Sequence, residues 1–513
     1  MLSLAHALKA TAEQYGAQPA VIGIDRVVDY ASFDVSSDAI ATSLVRNGIA
    51  KGDRVALYCI NCAEFAIAYA GIIKAGAAVV PLNLLQPPDA LAYILQDSDA
   101  KGLLFHAAFA EQAGHLLSKL AGLSFSISIG ARIEGSLAWE EEVSTPVAPP
   151  VLKFDANEDL AAILYTSGTT GKPKGAMLTH ANLLANVDSV HKAMQWRRAG
   201  DVVIVVLPMF HAFAATVGML APLLCGSAIV PLPKFDPEGV ATAIARTQAS
   251  IFLGVPSMFS VLLRLKPEQA GLFQSLRFCV SGGASLPVEI LRRFEAQFGK
   301  TIYEGDGPTE CSPVTCVNPI DGLVKPGTVG LPVPNVEMRI VDDEGRELPR
   351  GEVGEIAVRG PNVMKGYWKL PEATRETFRD GWFLTGDLGT EDEDGYFSIV
   401  DRKKDLIIVN GMNVYPRIVE ESLYRMPGIR EVAVVGELHG LHGEIPVAFI
   451  VREEEGQPTE ADIRNWCKEH LGRHEFPRKY VFIPELPKNA AGKVLKRELR
   501  KHGEVERGVV GLE

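Results

Sequence analysis

Between residues 159 and 305 the chain repeats one pattern, short apolar runs separated by longer segments of helical period. The runs "LAAIL", "DVVIVV", "SAIVPL", "SIFLGV", "LRFCVS" and "TIYE" show no polar alternation, so each predicts a strand covered on both faces. Segments such as "HANLLANVDSVHKAMQW" and "PVEILRRFEAQFG" predict the helices between them. Strands of that kind, spaced by helices, imply a parallel sheet, whose ligands gather at the carboxyl ends of the strands. Earlier, "DRVALYCI", "NCAEFAIAYAGIIKAG" and "AAVVPL" predict a similar sheet packed alongside. From about 327 to 400 the strands shorten and glycines punctuate them, as in "VEMRIVD", "GEIAVRG" and "GYFSIV", which marks a small β unit. Beyond "DRKKD", mixed patterns from "IVEESLYRMPGI" to "KYVFI" predict a compact α+β unit.

Composition narrows the class of molecule. A chain of 513 residues exceeds one ordinary core and predicts about three packed units. With 47% hydrophobic and 22% charged residues it reads as a soluble globular protein, not as extended disorder. A net charge of −12 leaves no basic surplus for general nucleic-acid binding. The most apolar stretch, "FAIAYAGIIKAGAAVVPLNLL", is broken by Lys74, Gly and Pro, so no transmembrane segment is expected. The N-terminus reads as an amphipathic helix without a signal-peptide pattern, and the C-terminus carries no peroxisomal or prenylation address. Seven cysteines without a secretion signal predict a reduced, cytoplasmic chain. Cys59 and Cys62 form a single C-x-x-C with no second pair, which predicts buried thiols and no metal–thiolate site.

The candidate chemistry begins at "YTSGTTGKPKG", Tyr165 to Gly175. Glycines let the backbone turn its amides inward, Ser and Thr add short donors and lysines add charge, so the stretch suits a phosphate. It is not the familiar phosphate loop, because Gly168 and Gly171 are separated by two residues and Lys172 is followed by Pro173. "SGGASLP" and "EGDGPTE" fall, like this loop, at predicted strand ends.

Five segments, in order along nearly the whole chain, resemble the adenylate-forming superfamily of acyl-CoA synthetases, peptide-synthetase adenylation domains and luciferases. "YTSGTTGKPKGAMLTHANL" is similar to its phosphate-binding loop and "EGDGPTECSP" to its adenine and magnesium segment. "GWFLTGDLG" resembles the segment with its ribose-binding aspartate, and "DRKKDLIIVNGMNVYPRIVEESL" its interdomain hinge. "LPKNAAGKVLKREL" resembles the segment bearing its C-terminal catalytic lysine. The resemblance implies an α/β fold with a large N-terminal domain of packed parallel and mixed sheets, helices and the small β unit (1–400). A hinge (401–405) and a small mobile α+β C-terminal domain (406–513) follow.

It also implies residue roles. Thr166, Ser167, Gly168, Thr169, Thr170, Gly171, Lys172 and Lys174 would wrap the β- and γ-phosphates of ATP. Thr309 would bond the α-phosphate and Glu310 would hold Mg²⁺, a hard cation that prefers carboxylate and water. Gly283, Ala284, Glu304, Gly305 and Asp306 would complete the nucleotide site, Asp387 would accept the ribose hydroxyls, and Arg402 would reach the same ribose or phosphate. Lys493 would bridge the attacking carboxylate and the α-phosphate as negative charge concentrates there. Lys404 would be the hinge residue about which the small domain rotates between two half-reactions. Two departures stand out: Asp306 occupies the place of the family's usual Tyr, and Arg417 stands where Glu is common after Pro416. Without the aromatic face, Asp306 or Glu304 is expected to accept a hydrogen bond from the adenine amino group.

Family members place the acyl group near "LPMFHAFAATVGML", "FLGVPSMF" and "SGGASLP". Here those segments supply Phe210, Phe213, Val217, Met219, Val255, Met258 and Gly282, with no acidic residue to select an amino-acid ammonium. Such a lining suits a hydrophobic carboxylic acid. His211 is either the family's gate residue beside the carboxylate or a satisfied loop histidine. No carrier-protein domain follows within the chain, so CoA is the expected acceptor. The expected reaction activates a medium- to long-chain fatty acid to acyl-AMP and passes it to CoA. Aromatic-acid ligation, acyl-AMP loading of a carrier protein and a catalytically silent adenylate- or acyl-binding regulator are the alternatives. The expected partners are small molecules, with peripheral membrane contact left open.

Overall fold

All but one of the six apolar runs join a single sheet in the computed structural model, which describes residues 2–144, 149–166, 172–454, 456–489 and 492–505. Val202–Val205 lies centrally, with Ile251–Gly254, Phe278–Ser281 and Ile302–Asp306 added in parallel on one side and Ala228–Pro231 on the other. Cys316–Val317 and Leu331–Pro332 extend one edge, and Pro19–Ile22 and Val27–Asp29 the other, making nine strands. The remaining run, Leu160–Thr166, belongs to a second sheet of eight strands. There it lies parallel to Ala78–Pro81 and antiparallel to Lys174–Thr179. This corrects the expectation of one parallel sheet from 159 to 305. Thr166 and Lys174 are register partners, and so short a connection between neighbouring strands can only return antiparallel.

The helix Ala63–Lys74 is buried on almost every side, as its all-round apolar sequence demands. Its one buried charge, Lys74, is met by Asp34 at 2.5 Å and Asp38 at 2.7 Å. At the N-terminus the predicted amphipathic helix forms as Leu4–Tyr15, capped by the Ser3 side chain. The small β unit is an antiparallel sheet of Glu337–Val341, Gly354–Arg359, Trp382–Glu391 and Phe397–Arg402, with Phe378–Arg379 at an edge.

A single turn, Lys403–Asp405, leads into the last unit. Met412–Val414, Ile407–Val409, Gly443–Arg452 and Ile429–His439 run antiparallel there, and Lys479–Phe482 adds in parallel. Helices Pro416–Tyr424 and Glu460–His470 cover it over a core that includes Ile407, Val419, Leu423, Val434, Ile450 and Ile463, separate from the core of the larger sheets. Among the described residues no helix is long and apolar enough to cross a membrane.

Candidate active site

Phe278–Ser281 and Ile302–Asp306 are parallel neighbours, so the loops leaving their carboxyl ends start side by side. The first carries Gly282, Gly283 and Ala284, with Gly283 at φ 75°, a left-handed conformation that favours glycine. The second folds back on itself after Asp306, and Gly307 permits it: a Cβ there would lie 1.6 Å from the Pro313 carbonyl oxygen. That fold delivers the turn Thr309–Cys311, which presents Thr309 and Glu310.

A cluster of charges lies beside this turn. Asp387 and Arg402 face each other across paired strands, with Arg402 Nε 2.8 Å from Asp387 Oδ1. Lys493 reaches them from the small unit. Its loop is held by Lys493 N–H donating to Asn489 Oδ1 at 2.9 Å and by Ser257 Oγ donating to the Gly492 carbonyl at 3.4 Å. Burial, then the neighbouring Arg402, pulls the Lys493 ammonium down to about 8, against the opposing pull of Asp387 and Asp306. Burial and the Asp387 charge raise the Asp306 carboxyl, with Arg402 and Lys493 acting the other way. Lys404, in the linking turn, is lowered by desolvation and by Arg402, although its side chain still reaches solvent. Positive charge thus converges where two anions would have to meet.

Glu310 sits on the phosphate-loop side. Its Oε1 accepts from the Tyr367 hydroxyl at 2.8 Å and from Thr166 Oγ1 at 3.5 Å. Lys174 Nζ lies 5.2 Å from the centre of the same Tyr367 ring, and Lys172 Nζ lies 5.3 Å from that of Tyr93. Ser167, Gly168, Thr169, Thr170 and Gly171 fall outside the described residues.

On the acyl side the chain widens into a π-helical stretch, Ala214–Leu220, a departure from regular helix that recurs at functional sites. Val217 and Met219 on it are buried, as are Phe213, Val255 and Met258, while Phe210 is partly exposed. The Phe213 ring packs on Gly282: a Cβ at Gly282 would lie 3.2 Å from Phe213 Cε1. Val255 Cγ1 lies 3.8 Å from the corresponding point at Gly283. Burial, and then the Lys493 charge, lowers His211 to about 4. Its Nδ1 accepts the Phe213 amide at 3.4 Å, which leaves Nε2 to carry the proton. His211 is thus a neutral donor within reach of the Lys493 charge.

Most residues singled out from the sequence therefore converge, but Glu304 does not take the role expected of it. Its Oε1 accepts the Leu286 amide at 2.9 Å, and the whole side chain is buried, with Oε2 lacking a hydrogen-bond partner. The carboxyl, pushed up to about 7 by burial, is turned into the protein and is not available to an adenine amino group. Sequence reasoning also missed two residues. Tyr367 had no periodic signal, because its role depends on the pairing of Gly366–Tyr367 with Lys174–Thr179. Asn61 had one, a polar residue inside an apolar run: its amide donates to the Val205, Leu207 and Leu232 carbonyls, and its oxygen accepts the Met209 amide at 2.8 Å. It ties the loop bearing Phe210 and His211 to the sheet.

A nucleotide-binding α/β body with a small unit inserting one lysine defines an adenylate-forming enzyme. The chain belongs to the AMP-binding enzyme family, matching that family over residues 8–368 and its C-terminal domain over 418–493, and within it to the acyl-CoA synthetases, which are AMP-forming. It is 35% identical to a long-chain-fatty-acid–CoA ligase of Escherichia coli O6:H1, over 97% of this chain and 94% of the relative. It is also 35% identical to a sulfoacetate–CoA ligase of Cupriavidus necator, over 98% of each. The ATP-bound crystal structure of MatB from Rhodopseudomonas palustris superposes with a TM-score of 0.90 at 34% identity, covering 98% of this chain and 99% of that one.

Proposed function

We propose that the chain activates a medium- to long-chain fatty acid with ATP, releasing pyrophosphate, and transfers the acyl group from acyl-AMP to CoA. The carrying observation is the approach of Lys493 to Asp387, Arg402 and Asp306, beside a neutral His211. Two relatives of equal identity act on chemically different acids, so the pocket must decide between them. Sulfoacetate carries a second anion, which would need a buried cation; Phe213, Val217, Met258 and Gly282, the residues expected around the acyl group, are buried and apolar and supply none.

In this reading Asp387 holds the ribose and Arg402 the ribose or α-phosphate. Lys493 lies between the acyl carboxylate and the α-phosphate, and Thr309 donates to that phosphate. His211 Nε2–H orients the carboxylate without adding charge. Glu310 suits Mg²⁺, a hard cation that keeps most of its waters and takes one or two carboxylates plus phosphates. When bound, the ion would neutralise phosphate charge. Residues 1–400 form the adenylating domain, 401–405 the hinge centred on Lys404, and 406–513 the small domain that turns after adenylation. Asp306, in the position of the usual Tyr, counterbalances Arg402 and Lys493 before ATP arrives.

The direct test is a screen of carboxylic acids from two to eighteen or so carbons, about the range of small acids to drug-sized ligands, read by ATP–pyrophosphate exchange and by AMP release with CoA. Exchange should rise with chain length and AMP release should require CoA. Exchange with sulfoacetate but not with fatty acids would overturn the substrate reading, and no exchange with any acid would leave a silent binder.

Two further outcomes follow from the geometry. The adenylation kcat/KM for ATP should fall as pH rises through about 8, because free-enzyme Lys493 is charged below that value and neutral above it. A profile flat from 7 to about 9.5 would remove Lys493 from this role. Tyr367→Phe keeps the ring under Lys174 but removes the hydroxyl that orients Glu310. A hydrogen bond to a charged group is worth about 1.5–3 kcal/mol, so half-saturating Mg²⁺ in the exchange assay should rise by about tenfold to a hundredfold. An unchanged Mg²⁺ requirement would show that the hydroxyl does not position the carboxylate.

A further inference from the structure

The strand Arg54–Tyr58 ends at the C-x-x-C of the chain. Cys59 follows the strand, Cys62 immediately precedes the helix Ala63–Lys74, and the chain then enters Ala78–Pro81, parallel to the first strand. A C-x-x-C in such a βαβ unit is a setting for dithiol chemistry. The two sulfurs lie 3.6 Å apart. Cys62 occupies the cap position of the helix but makes no side-chain capping bond, so its sulfur approaches Cys59 instead of the helix amides. All seven cysteines are described; six are buried and Cys62 alone is partly exposed, which corrects the expectation that both thiols of the pair are buried. Asn61 sits between them. Its buried side chain holds the Val205, Leu207 and Leu232 carbonyls and the Met209 amide, and so fixes the loop bearing Phe210 and His211.

We propose that Cys59 and Cys62 are a redox modification site, joined as a disulfide by hydrogen peroxide, and that the new bond disturbs the acyl side of the site through Asn61. Oxidation begins at the sulfur that solvent reaches, Cys62. It attacks one peroxide oxygen; the S–O bond forms, the O–O bond breaks, and water leaves with the thiol proton. The Cys59 sulfur then attacks that of Cys62; the S–S bond forms, the S–O bond breaks, and a second water carries off the Cys59 proton. The pair gives up two electrons and the peroxide accepts them. Burial holds the Cys59 thiol well above its usual range, which fits it to resolve the oxidised Cys62 rather than to meet the oxidant itself. To bond, the sulfurs must close from 3.6 Å to about 2 Å. Neither flank yields readily: Arg54–Tyr58 is paired along both edges, and the helix Ala63–Lys74 is buried on almost every side. The movement therefore falls on Ile60 and Asn61, and the grip of Asn61 on the Met209 amide shifts with it. The effect on catalysis rests on the acyl-activating reading above; the disulfide itself does not.

The test treats the full-length protein with hydrogen peroxide, blocks remaining thiols and maps the peptides by mass. Cys59 and Cys62 should be linked, with the loss of two hydrogens, and amide hydrogen exchange across residues 205–212 should quicken. In ATP–pyrophosphate exchange the kcat/KM for the fatty acid should fall by about tenfold or more, since a misplacement of about 1 Å can lower a rate 10²-fold. The KM for ATP should stay the same, and a dithiol reductant should restore the activity. Cys62→Ser should keep its starting activity and resist peroxide, whereas Cys59→Ser should gain oxygen on Cys62 without a link. Oxygen added to Cys62 of the unaltered protein with no link overturns the site. A link that leaves both kcat/KM and the 205–212 exchange unchanged, or an equal loss of activity in Cys62→Ser, overturns its action through Asn61. If the reduced protein activates no acid, the acyl-activating reading has failed, and the peptide masses and hydrogen exchange still decide the disulfide.

Discussion

Lys493→Ala is expected to abolish most acyl-AMP formation while leaving transfer from supplied acyl-AMP to CoA nearly intact. The lysine reaches a site otherwise built by the large unit, where it is partly buried and feels the charges of Arg402, Asp387 and Asp306. Joining a carboxylate to a phosphate concentrates negative charge at the point where these groups meet, and a preorganised cation there contributes most in the transition state. Removing one such group typically lowers the rate by about 10² to 10³. The loss should fall on kcat for exchange rather than on the KM for ATP, because in the proposed arrangement Arg402 and Thr309 would still hold the nucleotide. Thioester formation has no such demand for the lysine. Stopped-flow measurement of the two half-reactions separates them, and equal losses in both would place Lys493 among residues that merely support the fold.

Much of this site is legible in the sequence because its parts sit at fixed places on a regular scaffold. Unalternating apolar runs identify the parallel strands, and the carboxyl ends of those strands locate Gly283, Asp306 and Glu310. What stays hidden depends on pairings between distant segments. Leu160–Thr166 looks like its neighbours in composition, yet the short return to Lys174 commits it to the other sheet. Tyr367 acquires its role only when strand pairing brings it under Lys174 and beside Glu310. Glu304 has the residue type for an adenine acceptor, but whether it faces the site or the interior is decided by the Leu286 amide, which no motif encodes. Asp306 illustrates the opposite case: its oddity is plain in the sequence, whereas its surroundings are not, since burial and Asp387 raise its carboxyl and Arg402 and Lys493 offset only part of that.

Gly307→Ala should be the most damaging single-methyl change in the molecule's nucleotide site. The added Cβ would lie 1.6 Å from the Pro313 carbonyl oxygen and 2.9 Å from the Thr315 nitrogen, both backbone atoms that no side-chain rotation can clear. The loop must therefore move, and it holds Thr309 and Glu310 on one arm and the Thr315 amide, bonded to the Asp306 carbonyl at 2.9 Å, on the other. Misplacing catalytic groups by about 1 Å can lower a rate 10²-fold, so exchange activity should fall by at least about that much. The overall fold should survive, because Ile302–Asp306 also pairs with Phe278–Ser281, and Cys316–Val317 with Leu331–Pro332, outside the loop. Gly114→Ala is the control: it lies in the exposed helix Ala110–Lys119 with open space where the methyl would go. There the substitution should stabilise the chain slightly, by up to about 1 kcal/mol, and leave activity untouched. Gly307→Ala with normal exchange would mean that the 307–315 fold does not set the position of Glu310. Loss of the whole circular-dichroism signal would mean that the loop is part of the folding core rather than a platform for the site.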